Sequence, residues 1–330
     1  MRPAIFVPET CEPMVYRTRS RPCSPRYMDL VALGVAVGFI IFVAWVLSVK
    51  GGADLREAYL PAGRNHLNQF YNPYWVRPLF ELLALLPFRQ AYLVVMGMDV
   101  SIYVAALCLL GVRWVYPLTT YQFYYTLFYG QIDPLVTLGL ALEWRATRQR
   151  RAGWFGLGMV LALLKPQVSL AATAFLWWRL GEWRRRVRSL LPLLGAAVLS
   201  VLRYGWWFDD VVIRLSTSPP NRWGSISLWE WIGPYALLLW IPAFMGPLNE
   251  PEKLRFILAT AALAMPYFQQ NSLISLQAFL GPWAWLGNVS FVYYFNPALG
   301  WKIGVVLPLG IYLRYALRVV VRSFNRGASP

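Results

Sequence analysis

The sequence predicts an all-α, polytopic membrane fold, and three observations carry that prediction. Apolar residues make up 58% of the 330-residue chain and charged residues 14%, about half the charge of an ordinary soluble domain. A soluble chain would have to bury that excess and still cover itself with polar side chains, and it has too few. Charge-free runs of bilayer length are the second sign. The clearest, Leu30 to Val49, is long enough for a helix to cross the hydrocarbon core. The third is the placement of charge. The net charge of +16 comes largely from arginines grouped at the ends of apolar stretches: Arg17, Arg19, Arg21 and Arg26; Arg145, Arg148, Arg150 and Arg151; Arg184, Arg185, Arg186 and Arg188; Arg314, Arg318, Arg322 and Arg326. That distribution follows the positive-inside rule for cytoplasmic loops. It points to anionic lipid as the partner of these charges and away from nucleic acid.

Taken in order, residues 1–28 form a cytoplasmic basic arm. Leu30–Val49 is a retained first helix and not a cleaved signal, because the run is too long and no small-x-small site follows it. Residues 50–89 make the first outer loop, the most polar long stretch away from the termini, with Asp54, Glu57, Arg64, His66 and Arg77. Within it, Pro78–Phe88 is too short to span and is expected to lie in the interface. Gln90–Val112 returns to the cytoplasm. Trp114–Tyr129 and Ile132–Trp144 form a hairpin whose outer tip carries Gly130, Gln131 and Asp133. Ala152–Leu164 and Val168–Trp178 form another, broken by Lys165-Pro166-Gln167. Arginines flank both of its ends, so the break is expected deep in the membrane or near the outer side. Protein or a water-filled cavity must cover the freed backbone there.

Ser189–Trp207 leads to a second outer loop, 208–229, with Asp209, Asp210, Arg214, Asn221 and Arg222. Gly233–Gly246 comes back, Asn249–Arg255 reads as a mixed-charge cytoplasmic turn, and Phe256–Phe268 leads out to Gln269, Gln270 and Asn271. Whether Gly287–Asn296 crosses is left open. The sum is about 10 to 12 membrane segments, in one domain over 29–326 with a tail at 327–330. The 17 tryptophans and 19 tyrosines gather near segment ends as an aromatic belt does, with sugar stacking the alternative use. Cys11, Cys23 and Cys108 show no metal-ligand spacing, and His66 is the lone histidine. No disulfide, metal site or bound cofactor is expected.

A few residues stand out as carriers of chemistry. Asp54 with Glu57 three positions on matches a capping box, yet it also places a carboxylate in the polar outer loop. Lys165 is an ionisable residue within a membrane segment, which marks a functional site by default; snorkelling to the interface is the plainer reading. Gln131 and Asp133 either cap a tight turn or face a substrate. Asp209 and Asp210 are adjacent, so neither helix nor strand geometry sets them on one face as a catalytic pair.

The order of the motifs says more than any one of them. Asp54-Leu55-x-x-x-Tyr59-Leu60-Pro61-Ala62-Gly63-Arg64 is followed by Tyr71-x-Pro73, Pro78-Leu79-Phe80 and Leu86-Pro87-Phe88. Then come Gly130-Gln131-x-Asp133-Pro134-Leu135, Gly156-Leu157-Gly158 and Lys165-Pro166-Gln167. From Leu30 to Leu190 this series resembles glycosyltransferase family 87, polyprenyl-phosphate-mannose-dependent mannosyltransferases with the C-type membrane fold. The resemblance implies transfer of a hexose, mannose by expectation, from a polyprenyl-phosphate sugar to an acceptor at the outer face of the plasma membrane. Configuration would invert and no metal would take part. Asp54 is then the catalytic base. Lys165, Arg64 and Arg77 would take the donor phosphate, and Gln131, Asp133, Glu57 and Gln270 would meet the sugar or the acceptor. Membrane lipids and the lipid-linked donor are the implied partners.

The chain departs from that pattern twice. Asp133 stands where family members often carry asparagine, and Gln269-Gln270-Asn271 where some carry a histidine. Two other classes share the hydropathy. A lipid or solute transporter would use Lys165 at a midplane site but should show repeated halves, and no repeat is visible. A non-catalytic assembly subunit would use Asp54 only as a cap.

Overall fold

A computed structural model of the chain describes residues 51–217, 225–296 and 302–327, with Gly34, Val37, Gly38 and Leu299. The basic arm, the bulk of the expected first helix, Asn221, Arg222 and residues 328–330 lie outside the described residues. Among the described residues the regular elements are helical, beside one isolated β-bridge between Ser225 and Gln269.

The first outer stretch folds into a π-helical turn, Leu55–Tyr59, and two short helices, Leu60–Gly63 and α1 (Arg77–Leu83). From there the chain runs back and forth between two ends. α2 (Phe88–Leu110) leads away from Asp54, and Val115–Leu118 with α3 (Tyr121–Tyr129) returns. α4 (Asp133–Gln149) leads away, α5 (Ala152–Ala162) returns, α6 (Pro166–Arg179) leads away and α7 (Trp183–Tyr204) returns to α8 (Phe208–Thr217). Gly233–Leu239, a 3₁₀ helix, and Trp240–Met245 lead away again. α9 (Glu250–Ala264) returns, and Gln270–Leu273 with Ile274–Gln277 turns back beside α4. A 3₁₀ segment, Gly281–Tyr294, precedes α10 (Val306–Gly327).

Proline sets several of these starts. Pro134, Pro166 and Pro251 sit in the first turn of α4, α6 and α9, where the missing N–H costs nothing. The expected break at Lys165-Pro166-Gln167 is therefore real: α5 has 11 residues and α6 has 14. Only α2 and α7, of 23 and 22 residues, are long and apolar enough among the described residues to cross a membrane on length and composition.

Two stretches differ from their expected form. The second outer loop opens as α8, because Asp209 and Asp210 fall in a helical first turn where acidic side chains favour the positive end of the helix dipole. Asn249–Arg255 is likewise no turn but the start of α9. The Asn249 side chain accepts from the Glu252 N–H at 3.0 Å while the Glu252 carboxylate accepts from the Asn249 N–H at 3.4 Å, a reciprocal capping box.

The two ends differ in chemistry. At one, α6 meets α9 through the Arg179–Glu250 ion pair, and α10 meets α9 through Arg318 and Arg322 on Glu252. The arginine-rich ends of α4, α6, α7 and α10 share this side. At the other end lie Asp54, Gln131, Asp133, Lys165 and Asn271.

The core between the ends is close-packed, most tightly where α4 crosses α5. A Cβ on Gly139 would stand 2.3 Å from the Ala162 nitrogen and 2.6 Å from the Gly158 carbonyl oxygen, both of them backbone atoms. Gly139→Ala is expected to lower stability by about 1–3 kcal/mol through overpacking. A thermal midpoint equal to wild type in detergent would refute this account of the crossing.

Candidate functional site

A buried ion pair holds the polar end together. Asp133 opens α4 and is 0% exposed, and Lys165, the residue before α6, is 7% exposed. The Lys165 Nζ lies 2.8 Å from Asp133 Oδ2 and donates to Gln131 Oε1 at 2.9 Å. Asp133 also accepts from Asn271 Nδ2 at 2.7 Å and from Ser272 Oγ at 2.7 Å. The carboxylate thus carries three charge- or dipole-directed bonds, as a fully buried charge requires. Gln131 Oε1 takes a second bond, from the Tyr59 hydroxyl at 3.0 Å. Lys165 has three ammonium donors, and these two acceptors use two of them.

Asp54 is set against this pair by the turn that follows it. The Gly52 N–H donates to the Phe128 carbonyl at 2.7 Å, which ties the first outer stretch to the end of α3. Gly130, just past α3, adopts φ +68°, and a Cβ there would press on Leu55 Cβ at 3.0 Å. The loop and the hairpin tip can touch because residue 130 is glycine. Tyr59 completes the clamp by stacking on Phe80 at 4.5 Å between ring centroids. Between these fixed points Leu55–Tyr59 winds as a π-helix, a rare form that concentrates at functional sites.

Asp54 does not cap that turn. Its backbone is already helical, φ −69° and ψ −34°, and its side chain makes no cap hydrogen bond. The carboxylate is partly exposed and receives no hydrogen bond from a described residue. Burial by the surrounding loop pushes its pKa up to about 6; the Lys165 charge pulls it down, and Glu57 and Asp133 push it up. A carboxylate poised near neutrality and free of partners can take a proton from a hydroxyl.

The other expected residues divide into two sets. Gln131, Asp133 and Lys165 converge, as described. Gln270 is fully buried beside Gly304, next in sequence to Asn271, which holds Asp133. Glu57 is exposed and close enough to act on Asp54. Arg64 donates to the Ala84 carbonyl at 3.3 Å on the loop surface. Arg77 is 3% exposed, donates to Asn65 Oδ1 at 2.5 Å and lies 4.2 Å from the centre of the Tyr204 ring. These contacts join the first outer stretch to α7, and neither arginine is among the charges acting on Asp54.

Four partners of the cluster are not announced by the sequence pattern: Asn271 and Ser272 as ligands of Asp133, Tyr59 as a ligand of Gln131, and Asp99. Asp99 sits in α2, 4% exposed, within electrostatic reach of Asp133 and Lys165, with its Oδ2 unpartnered among the described residues. A signal for it existed, since an acid in the middle of a 23-residue apolar helix is a functional flag in itself. Glu143 carries the same signal in α4. It is buried with both oxygens on the Thr173 hydroxyl, at 3.0 and 2.9 Å. Ten residues separate it from Asp133, roughly 15 Å along the helix, so it stands outside this cluster.

A family model of glycosyltransferase family 87 matches residues 70–272, more than half of the chain. The chain belongs to glycosyltransferase family 87 and is a glycosyltransferase. The match starts after Asp54 and runs on through Ser272, well beyond the Leu190 limit of the motif resemblance. It therefore takes in the whole set of ligands around Asp133. No curated protein and no solved structure matches the chain.

Removing one member of the buried pair should cost more than removing both. Lys165→Met leaves a fully buried carboxylate without its cation, for an expected loss of about 3–5 kcal/mol. The double variant Lys165→Met/Asp133→Asn should regain a large part of that loss. Thermal unfolding of the three proteins decides it: additive losses would mean that the pair is not the unit of stability.

Proposed function

We propose that this glycosyltransferase moves a hexose, mannose by family resemblance, from a polyprenyl-phosphate sugar to an acceptor hydroxyl at the outer face of a plasma membrane. The chain would cross that membrane about 10 to 12 times, each pass of the fold counting as one segment. The exposed apolar faces favour this setting: Leu191, Leu194, Val198, Leu199 and Leu202 of α7 all point outward, a continuous patch that a soluble monomer rarely carries. Gathering of the arginines at one end fits a cytoplasmic side there and puts Asp54 on the other.

The observation that carries the reading is the unpartnered Asp54 carboxylate beside the Asp133–Lys165 pair, in which the Asp133 carboxylate is fully engaged. In the proposed step Asp54 accepts the acceptor's hydroxyl proton as that oxygen attacks the anomeric carbon. The new C–O bond forms on the face opposite the leaving group, so configuration inverts. The anomeric C–O bond to the lipid phosphate breaks, and its electron pair stays with the phosphate. The third ammonium donor of Lys165 would meet the charge gathering on the leaving phosphate, a preorganised contact in a site shielded from water. No metal is assigned a role in this scheme. Arg64 and Arg77 would act farther out along the donor's path, and Glu57, Gln131 and Gln270 near the sugar.

Asp54→Asn should lower transfer from radiolabelled polyprenyl-phosphate sugar by about 10²–10⁴-fold, with the thermal midpoint unchanged because no hydrogen bond is lost. Full transfer by this variant would end the base assignment, and no transfer by wild type from any such donor would end the polyprenyl-phosphate donor assignment.

In wild type, kcat/KM should fall as pH drops through about 6, since the base works only when ionised. Glu57→Gln removes a charge that raises the Asp54 pKa, so its acid limb should move to lower pH.

For topology, a cysteine at Glu57 should react with a membrane-impermeant maleimide in intact cells, and one at Arg151 should not, in a background without Cys11, Cys23 and Cys108. Reaction at Arg151 alone would invert the proposed orientation.

A further inference from the structure

The arginine-rich end holds a second feature that the transfer reaction does not use. A cavity of about 360 Å³ opens there between the start of α9, the start of the 3₁₀ segment and α10, within the size range of small-molecule sites. Arg255, Arg314 and Arg318 line it, with Glu252 as the one acid. Glu252 is already committed, because its two carboxylate oxygens accept from Arg318 and Arg322. The one acid of the lining is thus taken up by two guanidinium groups, and Arg255 and Arg314 have no ion pair with it.

The remaining cations are held open toward the cavity. Arg255 is fixed by donation from Nε to the Phe279 carbonyl at 2.7 Å and from Nη1 to the Tyr315 hydroxyl at 3.5 Å, neither of which supplies a counter-charge. Arg314 lies 4.9 Å from the centre of the Trp283 ring and pairs with no carboxylate among the described residues. Its stacking fixes the plane of a guanidinium without using its hydrogen-bond donors. The N-terminus of α9, a 15-residue helix, adds a positive dipole end to the same wall.

α10 supplies the rest of the recognition. Arg314, Arg318 and Arg322 recur every four residues and form one stripe. Beside that stripe Leu313, Leu317 and Val321 are 50%, 65% and 56% exposed. A guanidinium-lined hollow bordered by an exposed apolar strip suits a molecule with an anionic head and a hydrocarbon tail.

We infer that this cavity binds the phosphate of an anionic phospholipid headgroup, with the acyl chains along the Leu313–Leu317–Val321 strip. It lies at the opposite end of α9 from Asn271 and Asp133, roughly 22 Å away at 1.5 Å per residue. It is thus separate from the donor phosphate site and does not depend on the proposed reaction. Free phosphate shares the recognising chemistry but has no use for the apolar strip.

The test uses the full-length chain in detergent, delipidated and then offered phosphatidylglycerol, phosphatidylcholine or inorganic phosphate, with bound lipid counted by native mass spectrometry. Wild type should retain one phosphatidylglycerol and no phosphatidylcholine. Arg314→Gln should bind phosphatidylglycerol about tenfold more weakly or worse, the loss of one charge-assisted hydrogen bond. Arg314→Lys should keep most of the binding, and Arg151→Gln, which removes an exposed arginine at the same end, should keep all of it.

Displacement of the lipid by millimolar phosphate would identify a phosphate site that also serves soluble anions; resistance to it would identify the headgroup site as inferred. The inference is overturned if Arg314→Gln binds like wild type, or if Arg151→Gln loses as much, which would reduce the effect to general attraction by a basic surface. Unfolding midpoints without lipid separate a lost site from a lost fold.

Discussion

The polar end of this enzyme depends on how one buried charge pair is satisfied. Lys165 stands at the start of α6, where the helix dipole disfavours a cation. Its ammonium is tolerable there because Asp133, at the start of α4, and Gln131 both accept from it. Asp133 in turn enjoys the dipole of its own helix but is sealed from water, and Asn271 and Ser272 supply what water would have given. Four segments distant in sequence are thereby locked together: the hairpin tip, the broken hairpin, the end of the α9 pass and, through Tyr59, the first outer stretch. Moving any of the first three leaves a buried charge short of a partner, a costly defect in a protein interior, and moving the fourth strips a hydrogen bond from Gln131.

That arrangement separates the two carboxylates by task. Asp133 has both oxygens engaged and is inaccessible, so it has little left with which to bind a sugar or take a proton. Asp54 has the reverse properties: partly open, without a hydrogen-bond partner, and raised by burial to about 6. The acid at 133 fits the same logic. It neutralises Lys165 in part, and its negative charge helps hold Asp54 basic.

Much of this end was legible in the sequence, for identifiable reasons. Lys165-Pro166-Gln167 announced a broken hairpin because proline cannot continue a helix, and Gly130-Gln131-x-Asp133-Pro134 announced a helix start. Hydropathy gave the order of the passes, though the short helices on either side of the breaks leave only α2 and α7 at full spanning length. A capping box needs geometry as well as spacing. Asp54 and Glu57 have the spacing, but Asn249 and Glu252 have the geometry, since packing on Gly130 and Phe80 winds the first stretch into a π-helix that no local pattern foretells. Arg64 and Arg77 look like phosphate ligands by type and by loop position. Arg77 is instead enclosed by Tyr74, Tyr204 and Asn65, contacts made across the chain. Asp99 is the one acid in a largely apolar helix, a signal of composition that hydropathy averaged over the helix conceals.

The same helices that present the acids at one end collect the guanidinium groups at the other, and the geometry makes the two arrangements one. A pass that starts at Asp133 or at Lys165 must end, after 14 to 17 residues, among arginines. α9 reverses the direction, beginning at Glu252 and leading to the segment that supplies Asn271 and Ser272. Its first turn is gripped by Arg318 and Arg322 from α10, and the segment beyond its last turn grips the buried charge pair. Whatever fixes the height of α9 at the arginine end therefore also sets how closely Asn271 and Ser272 approach Asp133. A rod of 15 residues carries that placement across the molecule.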